Sequence, residues 1–179
     1  MQERTLVIIK PDAYVRGLTG VILARLEQRG LVVEAMRVSR NEKEIIGDHY
    51  PRSQEWLATV GGKTLEDYAK IGVSAKDRLG TDDAVEIGQM VRAWLTEFLL
   101  SAPVVPMVVS GNRAIETVRK VVGHTLPVLA APGTIRGDFS SDSPDLANTE
   151  QRPVQNLVHA SGDPEEAARE IALWFPELS

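Results

Sequence analysis

Of the three histidines in this 179-residue chain, His159 stands where chemistry is easiest to arrange. It lies at the end of the short apolar run NLVHA (156–160), with Ser161 two residues on. Behind it, Asp163, Pro164, Glu165 and Glu166 carry the signals of a helix start: a capping carboxylate, a first-position proline and acidic residues in the first turn. An imidazole at such a junction faces helix N–H groups that favour anions. A lone strand histidine is also often structural, so by pattern alone both readings of His159 stay open. His49, beside Asp48 in an expected helix, reads as solvated or partly packed. His124 follows Gly123 in a turn and fits either role.

Lys10, Arg119 and Arg136 each end an element or lie in a loop. Lys10 finishes an apolar strand, which puts its ammonium at the rim of a sheet. Arg136 belongs to AAPGTIRGDF (130–139), where it either pairs with nearby Asp138 in a rigid surface loop or takes part in a site. A cleft holding one lysine and two arginines, in a chain that is acidic overall, suits a polyphosphate. The other 17 of the 20 Lys and Arg read as ordinary surface bases.

Elements must hold these groups. TLVIIK (5–10) is apolar on both alternating faces, the pattern of a central strand covered on both sides, and Pro11 ends its ladder. From Thr19 the pattern is helical until Gly30. Leu31–Val38 is a second strand, and Asn41 with Glu44 resembles a capping box. Residues 51–88 read as short helical pieces joined by turns. Met90 to Leu99 recur at helical spacing, and VVPMVVS (104–110) is a third strand, with Pro106 implying an edge position or a bulge. Ile115, Val118 and Val122 mark another helix, 123–155 is a long irregular segment, and 156–160 is the last strand before the final helix. This order fits a single α+β domain over 1–179: a ferredoxin-like βαββαβ antiparallel sheet, helices on one face, with additional helices.

Composition narrows the classes. The formal charge of −5 and pI near 5.3 argue against a general nucleic-acid or anionic-membrane binder. The absence of cysteine excludes disulfides, thiolate metal sites and thiol nucleophiles. The apolar run at the start is too short for a secretory signal and nothing approaches a membrane span, so a cytoplasmic protein is expected.

NLVHASGD closely resembles the active-site signature of the nucleoside diphosphate kinases, Asn-x-x-His-x-Ser-x-[Asp/Ser]. ERTLVIIKPDA, SAPVVPMVVSG (101–111), GHTLP (123–127), PGTIRGDF (132–139) and the closing EEAAREIALWFP resemble other blocks of that family, in the same order. The resemblance leaves 51–90 and 140–152 as insertions. It implies transfer of the γ-phosphoryl group of ATP or another nucleoside triphosphate to a nucleoside diphosphate, by a ping-pong route through phosphohistidine. His159 would be the nucleophile, and Glu170 would bond the ring nitrogen that is not phosphorylated. Ser161 matches the serine close to the histidine. Lys10, Tyr50, Arg119, Thr125 and Arg136 match phosphate-contacting residues, and Asn156 the contact to the ribose 3′-hydroxyl region. Mg²⁺ is the implied cofactor, held by phosphates and water and not by a protein cage. Partners would be nucleotides, with no nucleic acid and no membrane, in a homo-tetramer or homo-hexamer.

This chain departs from the family in two places. The family's base-stacking phenylalanine falls at Val91 or Arg92, leaving Trp56, Tyr68 and Trp94 as aromatic candidates. In the variable position directly after the serine the family commonly has Asp, whereas here Ser161 is followed by Gly162 and then Asp163. The alternative function is a non-catalytic nucleotide-binding or regulatory module on the same fold. A ferredoxin-like RNA binder is disfavoured by the acidic pI, the few aromatics (three each of Phe, Trp and Tyr) and the lack of an RNP aromatic pattern.

Overall fold

The computed structural model describes residues 2–40, 42–70 and 72–178. The first strand, β1 (Gln2–Ile9), is paired on both sides, and Leu6 to Ile9 are completely buried, as their unbroken apolar pattern requires. Pro11 ends the strand and opens a short helix, α1 (Pro11–Val15), followed by α2 (Thr19–Glu27) and β2 (Val32–Met36). Then come α3 (Lys43–His49), α4 (Gln54–Lys70), α5 (Ala75–Leu79) and α6 (Ala84–Leu100). The chain continues as β3 (Val105–Asn112), α7 (Ala114–Val122), α8 (Ile135–Phe139), α9 (Pro144–Thr149), β4 (Val158–Ala160) and α10 (Pro164–Trp174). The sheet is antiparallel with strand order β2-β3-β1-β4, the ferredoxin-like arrangement the sequence pattern implies.

Helices cover both faces of the sheet, not one. Val7, Ile9, Met107 and Val109 pack against Ile22 and Leu26 of α2 and Val118 and Val122 of α7. Leu6, Ile8 and Val108, pointing the other way, pack against Ile46 of α3, Leu99 of α6 and Ile171 and Trp174 of α10. An apolar β1 on both faces demands this, because an uncovered face would leave Leu6 and Ile8 in water.

Four local expectations change. Pro106 sits in β3, an interior strand, and not at an edge. Its carbonyl accepts from the Arg37 N–H at 3.2 Å, so its nitrogen faces the same side, and without an N–H the reciprocal bond to the Arg37 carbonyl is not made; β2 ends at Met36, and one further bridge, Ser39 to Val104, follows. The irregularity lies instead in β2, as a register shift between Val33 and Ala35. Asn41 lies outside the described residues; Glu42 occupies the cap of α3 without a capping bond, its carboxylate taken by Arg37. The segment 123–155 is less irregular than its prolines imply, since it contains α8 and α9.

The largest difference is after Tyr50. The expected short pieces are a helical hairpin in which α4 runs for 17 residues through two adjacent glycines and packs on α6. A Cβ on Gly61 would meet the Ala84 carbonyl oxygen at 1.8 Å, and one on Gly88 the Leu57 carbonyl oxygen at 2.1 Å. These glycines therefore do not interrupt helices; they let two backbones touch. Among the described residues no helix is long and apolar enough to cross a membrane.

Candidate active site

The register of the last strand sets the site. His159 pairs with Ile8, so it points to the face that carries α3 and α10, while its neighbour Val158 points into the opposite core. On that face α10 presents Glu170, one residue before Ile171 of its apolar stripe, and Asp163 starts the helix by accepting from the Glu166 N–H at 2.8 Å.

Glu170 is 1% exposed and His159 18%. His159 Nε2 lies 2.9 Å from Glu170 Oε2, and Ser161 Oγ donates to the same oxygen at 2.7 Å. An ionised carboxylate only accepts, so Nε2 carries the ring proton and Nδ1 keeps its lone pair. Arg169 reaches the other carboxylate oxygen at 3.5 Å. Burial pushes the Glu170 carboxyl up, and the Ser161 hydroxyl and Arg169 charge work against that by favouring the anion. Burial, followed by the nearby Lys10 charge, holds the His159 imidazole well below its ordinary value, so it is neutral at physiological pH.

His49 corrects the sequence reading of a solvated or partly packed residue: it is 1% exposed and forms the wall behind His159. The two imidazoles meet edge to face with centroids 4.5 Å apart. Trp174 Nε1 lies 3.3 Å from His49 Nδ1, and because indole can only donate, that nitrogen is bare. Burial pushes His49 down to about 3. Its 3.6 Å approach to Glu170 is therefore not an ion pair. The spacing of Ile46 and His49 on α3 and Tyr50 just after it, all buried, was the signal that this histidine faces inward.

The cationic side is built at the end of β1. Lys10 is buried, and its Nζ donates to Asn156 Oδ1 at 2.8 Å. Asn156 Nδ2 in turn donates to the Thr125 carbonyl at 2.9 Å. Burial and the adjacent Arg136 guanidinium push Lys10 down to about 8. Arg136 is buried too and donates to the carbonyls of Asn156, Gly123 and Val158 at 2.9, 3.0 and 2.5 Å. Asp138 bonds Arg25 and the Gly133 N–H, which removes the reading of Arg136 as its partner. Arg119 is exposed at the rim, its Nη1 3.7 Å from where a Cβ on Gly162 would lie, and its charge acts on Arg136. Tyr50 packs edge-on against His49, at 4.9 Å between centroids. His124 is exposed and accepts from the Leu126 N–H, closing a local turn.

A cavity of about 250 Å³ runs from Lys10, Thr125 and Asn156 to Lys63 of α4 and Trp94 and Leu95 of α6. Of the three aromatic candidates only Trp94 lines it. Tyr68 is buried in a separate cluster with Ala75 and Ile87, its hydroxyl bonded to the Asn148 carbonyl, and Trp56 packs against Tyr50. Arg92 ties α6 to α3 through the carbonyls of Tyr50 and Gly47.

A free imidazole nitrogen, a buried carboxylate behind the ring and cations in front form a site for receiving an anionic group. The family model for nucleoside diphosphate kinase matches residues 3–58 and 85–179. The chain belongs to the nucleoside diphosphate kinase family. A relative of that name from Pyrobaculum aerophilum is 51% identical over 98% of this chain and 96% of its own. Another from Rhodococcus erythropolis is 38% identical over 100% of this chain and 99% of its own. The crystal structure of an NDP kinase from P. aerophilum superposes with a TM-score of 0.95 at 49% identity, covering 98% of this chain and 96% of that one. A nucleoside-diphosphate kinase from Borrelia burgdorferi, a transition-state mimic with vanadate and ADP, gives 0.76 at 33% identity over 97% and 87% of the two chains. In this chain the stretch outside the family model, 59–84, covers most of α4 and all of α5. Residues 140–152 lie within the matched region.

Proposed function

We infer that this chain transfers phosphoryl groups between nucleotides through Nδ1 of His159. The observation that carries this is the tie of Nε2 to a buried carboxylate, which leaves Nδ1 as the ring's only lone pair. In the first half-reaction a bond forms between Nδ1 and the γ-phosphorus as the bond to the β–γ bridging oxygen breaks, and the electron pair departs with the diphosphate. In the second, a terminal oxygen of another diphosphate attacks phosphorus and the N–P pair returns to the ring. Glu170 supports the positive charge the ring acquires, and Ser161 orients that carboxylate. Lys10, Arg119 and Arg136 offset charge on the equatorial oxygens. Tyr50, Thr125 and Asn156 complete the nucleotide contacts.

The assembled His159–Glu170–Ser161 chain, with Lys10 at the same end of the sheet, favours a working enzyme over a non-catalytic module. The test is incubation with γ-labelled ATP and no acceptor. The protein should take up an acid-labile, base-stable phosphate and pass it to added GDP or CDP; an unlabelled native chain would refute the reading.

Mg²⁺ accompanies the phosphates. Among the described residues the one compact cluster of metal-capable groups is His49, His159 and Glu170, a nitrogen-rich set with His49 Nδ1 already engaged by Trp174. That set does not suit a hard, oxygen-seeking ion. The nucleotide's own oxygens and water do, and the ion would add charge neutralisation on the phosphates.

Three finer points follow. Trp94 is the face on which the base stacks, so Trp94→Ala should raise KM for purine and pyrimidine nucleotides alike, by about 10-fold, from the value of one base–aromatic contact. An unchanged KM would exclude it. Phosphate capture needs the Lys10 charge, and with Lys10 pushed down to about 8 the protonated form is lost as pH rises through that value. Hence kcat/KM should fall above about pH 8, and Lys10→Arg should move that limb to higher pH. Finally, the edge strand β2 exposes Val32 and Met36, with Val38 exposed just beyond it, a surface suited to a second copy in a homo-tetramer or homo-hexamer. Light scattering should give one of those masses, and Val32→Lys should reduce it; a monomeric native protein would refute self-assembly.

A further inference from the structure

The turn that launches β4 is gripped from three directions. Leu157 is fully buried and has φ of +68°, in the left-handed region that a leucine seldom adopts. Its N–H donates to Asp12 Oδ2 at 2.9 Å, and its carbonyl accepts from the Lys10 N–H at 2.8 Å. On either side of it, the carbonyls of Asn156 and Val158 take the Arg136 guanidinium. Lys10 at the end of β1, Asp12 of α1 and Arg136 of α8 thus meet on one three-residue turn.

The charges at this point do not balance. Lys10 Nζ bonds a neutral amide oxygen, and Arg136 bonds three backbone carbonyls, so neither buried cation has a carboxylate as hydrogen-bond partner. Asp12 is 7% exposed, and its Oδ1 is buried with no hydrogen-bond partner. A carboxylate with an idle buried oxygen is costly unless cations close by reward its charge. Its charge acts on both of these, raising Lys10 and Arg136 against the burial that depresses them.

We propose that Asp12 is the standing counter-charge of the phosphate site, a positioning residue that holds Lys10 and Arg136 in place until nucleotide phosphates take over that task. The proposal rests on the reading that these two cations receive phosphates. It differs from a purely mechanical clamp on Leu157 in one respect. A clamp is needed equally with and without nucleotide, whereas a counter-charge is needed most without it and repels phosphate once it arrives.

The test uses Asp12→Asn, whose side-chain oxygen can still accept from the Leu157 N–H, at about pH 6.5, where Lys10 remains protonated. The free variant should melt below the native protein, and ADP should raise its melting temperature by more than it raises the native one. ADP affinity should accordingly be tighter, by up to about tenfold. Equal rises, or weakened ADP binding, would leave only the clamp and overturn the proposal. Removing one surplus cation should also help: Asp12→Asn with Lys10→Met should be more stable, free of nucleotide, than Asp12→Asn alone. This comparison stands even if the single variant fails to fold, and a double variant no more stable than the single one overturns the proposal. Lys10→Met by itself separates the two levels of argument. If ADP stabilises it as much as the native protein, the phosphate-site reading fails. If that stabilisation is lost, yet Asp12→Asn behaves like the native chain, the counter-charge alone fails.

Discussion

Replacing His159 with alanine removes phosphoenzyme formation and nucleotide-dependent transfer, by at least about 10⁴-fold, the scale seen when a covalent nucleophile is deleted. Labelling with γ-labelled ATP should vanish, and neither GDP nor CDP should acquire label. The loss should lie in chemistry and not in binding. His159 makes one side-chain hydrogen bond, to Glu170, and the cations that meet the phosphates are held by other groups: Lys10 by Asn156, Arg136 by three carbonyls. ADP affinity measured by calorimetry should therefore change by less than about tenfold, since no phosphate-binding cation is removed. Label that persists in the variant would place the nucleophile elsewhere.

Replacing Glu170 with alanine slows single-turnover phosphorylation of His159 by about 10²- to 10⁴-fold, by analogy with removal of the carboxylate behind a catalytic histidine. Two effects combine. Without an acceptor at Nε2 the ring is free to move its proton to Nδ1, the attacking atom, and the charge that supports the phosphorylated ring is gone. Glu170→Gln separates them. With its carbonyl oxygen at the Oε2 position it can still accept from Ser161 and from Nε2, so the tautomer survives and only the charge is lost. The glutamine variant should fall between the native protein and the alanine variant, with KM for nucleotides little changed in both. Equal rates for all three would remove Glu170 from the mechanism.

Much of this was legible in the chain. An unbroken apolar β1 dictates a central strand with both faces covered, and the capping residues before α10 dictate where that helix begins. His159, Lys10 and Arg136 stood out because cations and an imidazole at element ends have few structural duties. What escaped the reading shares one cause: it depends on what lies across space. His49 looked solvated or partly packed because it follows the charged Asp48, yet one step of α3 rotates it against His159 and Trp174. Gly61 and Gly62 looked like a break, and only the partner helix shows that Gly61 is a contact. Pro106 looked like an edge because it has no N–H to donate, and only the register shows that the missing bond falls opposite Arg37, where β2 ends.

By itself, the sequence determined the fold class, the strand that carries His159 and the family, because those follow from local periodicity, capping chemistry and motif order. It could not show which of Trp56, Tyr68 and Trp94 lines the cavity, place Arg92, or bring Asp12 to the turn that Lys10 and Arg136 also hold. Those depend on charge and packing between residues far apart in the chain, and such couplings come into being only when the tertiary structure excludes water from between them.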